Sequence, residues 1–166
     1  MVPVVSLRAI VDELTIANDE RRSYLQKETG EIRGLGLEEL SAAEEEEELT
    51  GYPEWQQKLI QEAGEVLASD LWLELPTAFD IHEYSIMEDF CRRVEDNDLS
   101  DELLYQIRGS GAFGRFKHAI YRYHIAEAWY RYRDQALAEI AAQWLDAHDI
   151  AYVGDVDVPR SQDTEE

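Results

Sequence analysis

The longest unbroken helical period in the chain runs from about residue 125 to 148, and it constrains the fold more than any other feature. Ile125, Ala128, Trp129, Tyr132, Ala136, Leu137, Ile140, Ala141, Trp144 and Leu145 recur at three- and four-residue spacing, which puts them on one side of a helix. A helix of that length spans about 36 Å at 1.5 Å per residue. Its apolar stripe needs several further elements to cover it, so a mostly helical domain is expected.

The rest of the chain supplies shorter elements. Ser6 stands before Leu7, Ile10, Val11 and Leu14 and reads as the N-cap of a helix. Pro53 reads as the first turn of a second helix, with Trp55, Leu59, Ala63, Val66 and Leu67 as its buried stripe. Asp80 opens a third, with Ile81, Tyr84, Met87, Cys91 and Val94 along one face and Ile86 and Phe90 alongside. Asp80 and Glu83 have capping-box spacing, and Glu88–Arg92 and Asp89–Arg93 have the spacing of ion pairs one turn apart. Ser100 is expected to cap a short helix carrying Leu103, Leu104 and Ile107, and Phe113, Phe116, Ile120 and Tyr123 support another.

Strands are fewer. Residues 22–34 read as a β-hairpin in which Gly30 supplies the left-handed residue of the loop. Leu71–Leu75, closed by Pro76, reads as a strand that joins it, and Ala151–Val153 as a short further strand. The expected class is therefore α+β: five to six helices packed on a small antiparallel sheet of about three strands. A length of 166 residues and an apolar fraction of 45% suit one domain. Residues 1–153 are expected to form it. Residues 38–51, with Glu44 to Glu48 unbroken, are expected to be a solvated, mobile acidic insert or a frayed helix, and 154–166 a disordered acidic tail.

Charge bounds function. The net charge of −22 opposes general adhesion to nucleic acid or anionic lipid. No run of about eighteen apolar residues exists to cross a membrane, and the first residues lack the pattern of a signal peptide. Cys91 is the sole cysteine, which rules out an intrachain disulfide and cysteine-built metal sites. A reducing cytoplasm is the expected compartment. Nothing in the sequence sets the oligomeric state.

No complete catalytic set can be assembled. His82-Glu83 lacks the second histidine of a zinc-protease helix, since position 86 is Ile86. His118 and His124 fall on different faces of one helix, and His148-Asp149 has no supporting histidine. There is no nucleophile elbow, phosphate loop or dinucleotide fingerprint, and Cys91 falls on an apolar stripe. The expected catalytic residues, metals and cofactors are none.

One region differs from the rest. Residues 105–133 carry Arg108, Arg115, Lys117, Arg122, Arg131 and Arg133 against Glu127, a local charge of about +5 that leaves about −27 elsewhere. Gly109-Ser110-Gly111 stands before a helix start, where backbone N–H groups and the positive dipole end suit an anion. Arg108, Gly109, Gly111, Arg115, Lys117, Arg122, Arg131 and Arg133 are accordingly the candidate anion- or partner-binding residues. Tyr121, Tyr123, Trp129, Tyr130 and Tyr132 interleave with these arginines and could stack bases or pack in a core.

The strings Tyr24-Leu25 to Thr29-Gly30-Glu31, Pro53-Glu54-Trp55-Gln56, Leu75-Pro76 to Phe79-Asp80-Ile81-His82-Glu83-Tyr84, Ile86-Met87-Glu88-Asp89-Phe90, Gly111-Ala112-Phe113, Arg115-Phe116-Lys117, Trp129-Tyr130 and Arg133-Asp134 together resemble uncharacterised protein family 0158 of bacteria, over roughly residues 5 to 150. That family has no established activity. The resemblance implies a bacterial cytoplasmic protein and supplies no site residues. The expectation is a non-enzymatic interaction or regulatory protein with a protein partner. The alternatives are an enzyme or sensor for a phosphorylated small molecule at Gly109–Lys117, and nucleic-acid binding through the 108–133 face.

Overall fold

The structure is a computed structural model and describes residues 4–16 and 18–156. Its elements run β1 (Val5–Ser6), α1 (Leu7–Thr15), β2 (Arg21–Gln26), β3 (Ile32–Gly36), α2 (Leu37–Glu44), a 3₁₀ turn (Leu49–Gly51), α3 (Glu54–Leu67), β4 (Trp72–Glu74), α4 (Ala78–Ile81), α5 (Glu83–Arg93), α6 (Asn97–Gln106), α7 (Ala112–Arg122), α8 (Ala126–Ala147) and β5 (Tyr152–Val153). The class is α+β, with slightly more helices than expected because α2 and the short α4 add to the six read from the sequence. The described residues group into two compact units: those up to residue 81 with 141–155, and residues 82–140 with 156.

The first unit is built on the three-stranded sheet, in the order β3-β2-β4 and antiparallel throughout. Tyr24 faces Arg33 on one side and Glu74 on the other, so the strand near 71–75 joins the hairpin as expected. Gly30 adopts φ +79° in the hairpin loop, a conformation that costs other L-residues about 1–2 kcal/mol. Tyr24, Leu35, Leu40, Ala63 and Val66 form a buried cluster, with Ala43 and Trp72 against it.

Two corrections belong here. Residues 38–44, expected within a mobile insert or a frayed helix, form α2 and bury Leu40 and Ala42; only Glu44 to Glu48 remain exposed as a charged run. On α3 the stripe is rotated. Trp55 and Leu67 are exposed at 64% and 43%, while Gln56, Ile60, Ala63 and Val66 are buried. Gln56 tolerates burial because its amide donates to Glu39 Oε2 at 2.8 Å.

The expected N-cap at Ser6 is present: its Oγ accepts from Ala9 N at 3.1 Å. The same hydroxyl donates to Asp155 Oδ2 at 2.6 Å, and Arg8 N donates to Asp155 Oδ1 at 2.7 Å. These bonds hold the Asp155 carboxyl below its usual pKa, the Ser6 hydroxyl contributing most. β5 pairs in parallel with β1, Val5 beside Tyr152. The start of the expected tail is thus engaged, with Val156 also buried; its remainder, 157–166, lies outside the described residues.

The second unit is helical. Phe90, Phe116 and Trp129 meet edge to face, with centroids 5.4 Å apart for Phe90–Trp129 and 4.9 Å for Phe116–Trp129, and Tyr132 lies 5.6 Å from Phe90. Such pairs add about 0.5–1.5 kcal/mol beyond their buried area. Cys91 is fully buried as expected, and burial pushes its thiol up to about 11.

Two caps differ from expectation. The capping box is formed by Thr77 and Asp80 rather than Asp80 and Glu83: Asp80 N donates to Thr77 Oγ1 at 3.2 Å and Thr77 N to Asp80 Oδ2 at 3.0 Å. That box serves α4, which breaks at His82 in a left-handed conformation. Asp96, not Ser100, caps α6, accepting from Asp98 N and Leu99 N. Ser100 sits inside the helix and donates to Cys91 O at 2.7 Å.

Candidate interaction surface on the second unit

Four of the candidate residues meet at the turn between α6 and α7. Gly109 and Gly111 take φ +72° and +80° there. Arg115, one turn into α7, folds back over them: its Nε donates to Gln106 O at 2.6 Å, Nη1 to Ser110 O at 2.8 Å, and Nη2 to Arg108 O. Gln106 is the last residue of α6, whose carbonyls have no partner within the helix. The guanidinium fork supplies a partner to the Gln106 carbonyl and to two carbonyls of the turn that follows. Arg115 is therefore committed to the chain's own backbone, and a Cβ added at Gly111 would lie 2.9 Å from its Nη1. Arg108 lies over the Tyr105 ring at 5.8 Å.

The other candidates are dispersed. Lys117 and Arg133 line one hollow of about 190 Å3 between α7 and α8, walled by Phe113, Phe116, Ile120, Trp129 and Tyr130. Arg133 is not open to a ligand charge, since its Nε lies 2.9 Å from Glu83 Oε2 and its Nη2 donates to Glu83 Oε1 at 3.3 Å. Tyr121 and Tyr130 touch at their hydroxyls, 3.3 Å apart. That contact holds the Tyr130 phenol above its ordinary pKa. Arg122 ends α7 with its guanidinium 5.6 Å from the Tyr123 ring.

Arg131 lies elsewhere, on a groove of about 370 Å3 between α5 and α8. Phe90 and Val94 form one wall; Ile125, Ala128, Tyr132 and Gln135 form the other; Arg93 and Arg131 complete the lining. The expected Asp89–Arg93 pair does not form. Arg92 meets Glu88 at 3.1 Å and Asp89 at 3.8 Å, and Arg93 lies 5.7 Å from the Tyr132 ring centroid. Neither Arg93 nor Arg131 meets a carboxylate among the described residues. The helix spacing hides this outcome. Adjacent arginines on a helix point about 100° apart, so a carboxylate that reaches Arg92 is turned away from Arg93.

The lining of this groove sets its chemistry. It holds apolar and aromatic side chains, two guanidinium groups and one amide, but no carboxylate, imidazole or thiol among the described residues. Among the described residues no three His, Cys, Asp or Glu side chains come together as a metal would require, and no helix is long and apolar enough to cross a membrane.

Comparison with known proteins fixes kinship. The model of the uncharacterised protein family UPF0158 matches residues 1–166. The chain belongs to this family. Among the curated UPF0158 proteins it is similar to UPF0158 protein PA5073 of Pseudomonas aeruginosa, at 35% identity over 66 residues, which is 39% of this chain and 43% of that relative. The match thus spans less than half of either protein. No solved structure matches this UPF0158 member.

Proposed function

We propose that this protein is a non-enzymatic interaction protein that holds a partner protein in the α5–α8 groove. One observation carries the reading: an apolar groove flanked by two guanidinium groups that meet no carboxylate among the described residues, in a chain of net charge −22. Arginine and exposed aromatic surface are the side chains most enriched at protein interfaces. Unsatisfied positive charge within an anionic molecule selects partners of complementary charge. The bacterial cytoplasm is the compartment this reading takes, in keeping with a free, buried thiol at Cys91.

The alternatives have thinner support. A phosphorylated ligand at the Gly109–Lys117 turn would need Arg115, whose donors are directed at three backbone carbonyls, and a nucleic acid on the 108–133 face would also need Arg133, which meets Glu83.

The test is affinity capture from the native host with wild type beside Arg93→Glu/Arg131→Glu, both exposed positions, and Arg22→Glu as a control in the first unit. Partners recovered by wild type and control but lost with the double variant are the expected result. Identical recovery by all three proteins would overturn the reading, as would substrate turnover by the purified protein that a point change abolishes.

A further inference from the structure

We propose that the occupant of the α5–α8 groove is an amphipathic helix whose apolar stripe is edged by aspartate or glutamate. This rests on the proposed function and specifies the partner's chemistry. Ile125, immediately before α8, and Ala128, Tyr132 and Gln135 on it follow one another at spacings of three, four and three. They form a stripe of about 15 Å over three helical turns. Phe90 on α5 and Val94 at its C-cap form the facing wall. An extended apolar stripe between two helices is the surface that helix-in-groove recognition uses, read by anchors at three- and four-residue spacing.

Shape and charge then narrow the occupant. Ala128 is short and exposed, so a partner helix can approach α8 closely there and seat an aliphatic side chain. The aromatic stack of Phe90, Trp129 and Tyr132 underlies the groove and holds its walls in place without the partner. Arg93 is fixed toward the groove by its position over the Tyr132 ring, and Arg131 stands on the opposite helix. A helix with carboxylates beside its stripe meets a cation from each wall. A lysine-edged helix meets like charge there, which opposes binding.

The experiment is fluorescence anisotropy with the full chain and three fluorescein-labelled peptides of about 18 residues, long enough to exceed the stripe. One carries a leucine stripe edged by glutamate, one the same stripe edged by lysine, and one the glutamate peptide's composition in scrambled order. The glutamate-edged helix is expected to bind about tenfold or more tighter than the other two, with affinity falling as salt rises. Arg93→Glu/Arg131→Glu and Ala128→Phe should each remove that preference, while Arg131→Lys keeps most of it. Circular dichroism confirms that each variant is folded.

Equal binding of the three peptides, or preference for the lysine-edged one, overturns the proposal. Decanoate binding at the groove in place of the peptide also overturns it, by assigning the site to a small amphipathic anion. Self-association of wild type that Ala128→Phe dissolves overturns it in favour of a second copy of the chain. If capture from the native host depends on Arg93 and Arg131 while no acidic helix binds, this inference fails and the proposed function stands.

Discussion

The two units treat arginine differently. In the first, every arginine meets a carboxylate: Arg8 with Asp12, Arg21 with Glu13, Arg22 with Glu74 and Arg33 with Glu31. In the second, Arg92 and Arg133 do so among the described residues. Arg115 is held by carbonyls, Arg93, Arg108 and Arg122 lie over tyrosine rings, and Arg131 lines a groove. In a chain with 37 carboxylates and 15 cations, pairing is the easy outcome. The arginines that avoid it therefore mark where the chain puts guanidinium to another use. One use is internal: Arg115 terminates α6. The other faces outward, at the α5–α8 groove.

Three measurements can break or sharpen that contrast. The largest effect belongs to the aromatic stack that carries the groove. Trp129→Ala should cost about 3–5 kcal/mol of unfolding free energy in urea titrations followed by circular dichroism. A loss below about 1 kcal/mol, the range of ordinary surface changes, would mean the stack is not what rigidifies the second unit.

Next comes Arg115. Its replacement by alanine leaves three carbonyls without their donor and should destabilise by about 2–3 kcal/mol, since bonds to charged groups are the stronger kind. Arg115→Lys should recover less than half of this, because an ammonium cannot reproduce the planar fork. Full rescue by lysine would show that charge alone matters there, and the anion-site reading of the turn would regain ground.

The smallest effect is expected in the first unit. Arg22→Ala removes a pair in which the Glu74 side chain is 44% exposed, worth about 0.2–1 kcal/mol. A cost equal to that of Arg115→Ala would erase the distinction between arginines that only pair and arginines that build.

How much of this was legible depends on the range of the interactions involved. The α8 stripe was readable: Trp129, Leu137, Ala141 and Leu145 are buried as their spacing requires. So was the hairpin, because the loop needs a positive φ that Gly30 provides. Where the reading failed, a contact distant in sequence decided the outcome or a nearby residue took the expected role. On α3 the stripe was read with Trp55 inward; Gln56 is buried instead, and Glu39, 17 residues away, satisfies its amide. Ser100 was read as the cap of α6, and Asp96, four residues earlier, holds that role. At the candidate site, a count of cations along residues 105–133 could not distinguish Arg115, which faces the backbone, from Arg131, which lines a groove. Arg93 lay outside that count altogether, credited to Asp89.

By itself the sequence determined the local elements, the class and the anionic character of this protein, since helix period, capping residues and the glycine turn act within a few residues of each other. The tertiary structure alone decided which cation meets which acceptor. Glu83 lies fifty residues from Arg133, and an ion pair needs contact within about 4 Å, a distance that only the packed helices can set.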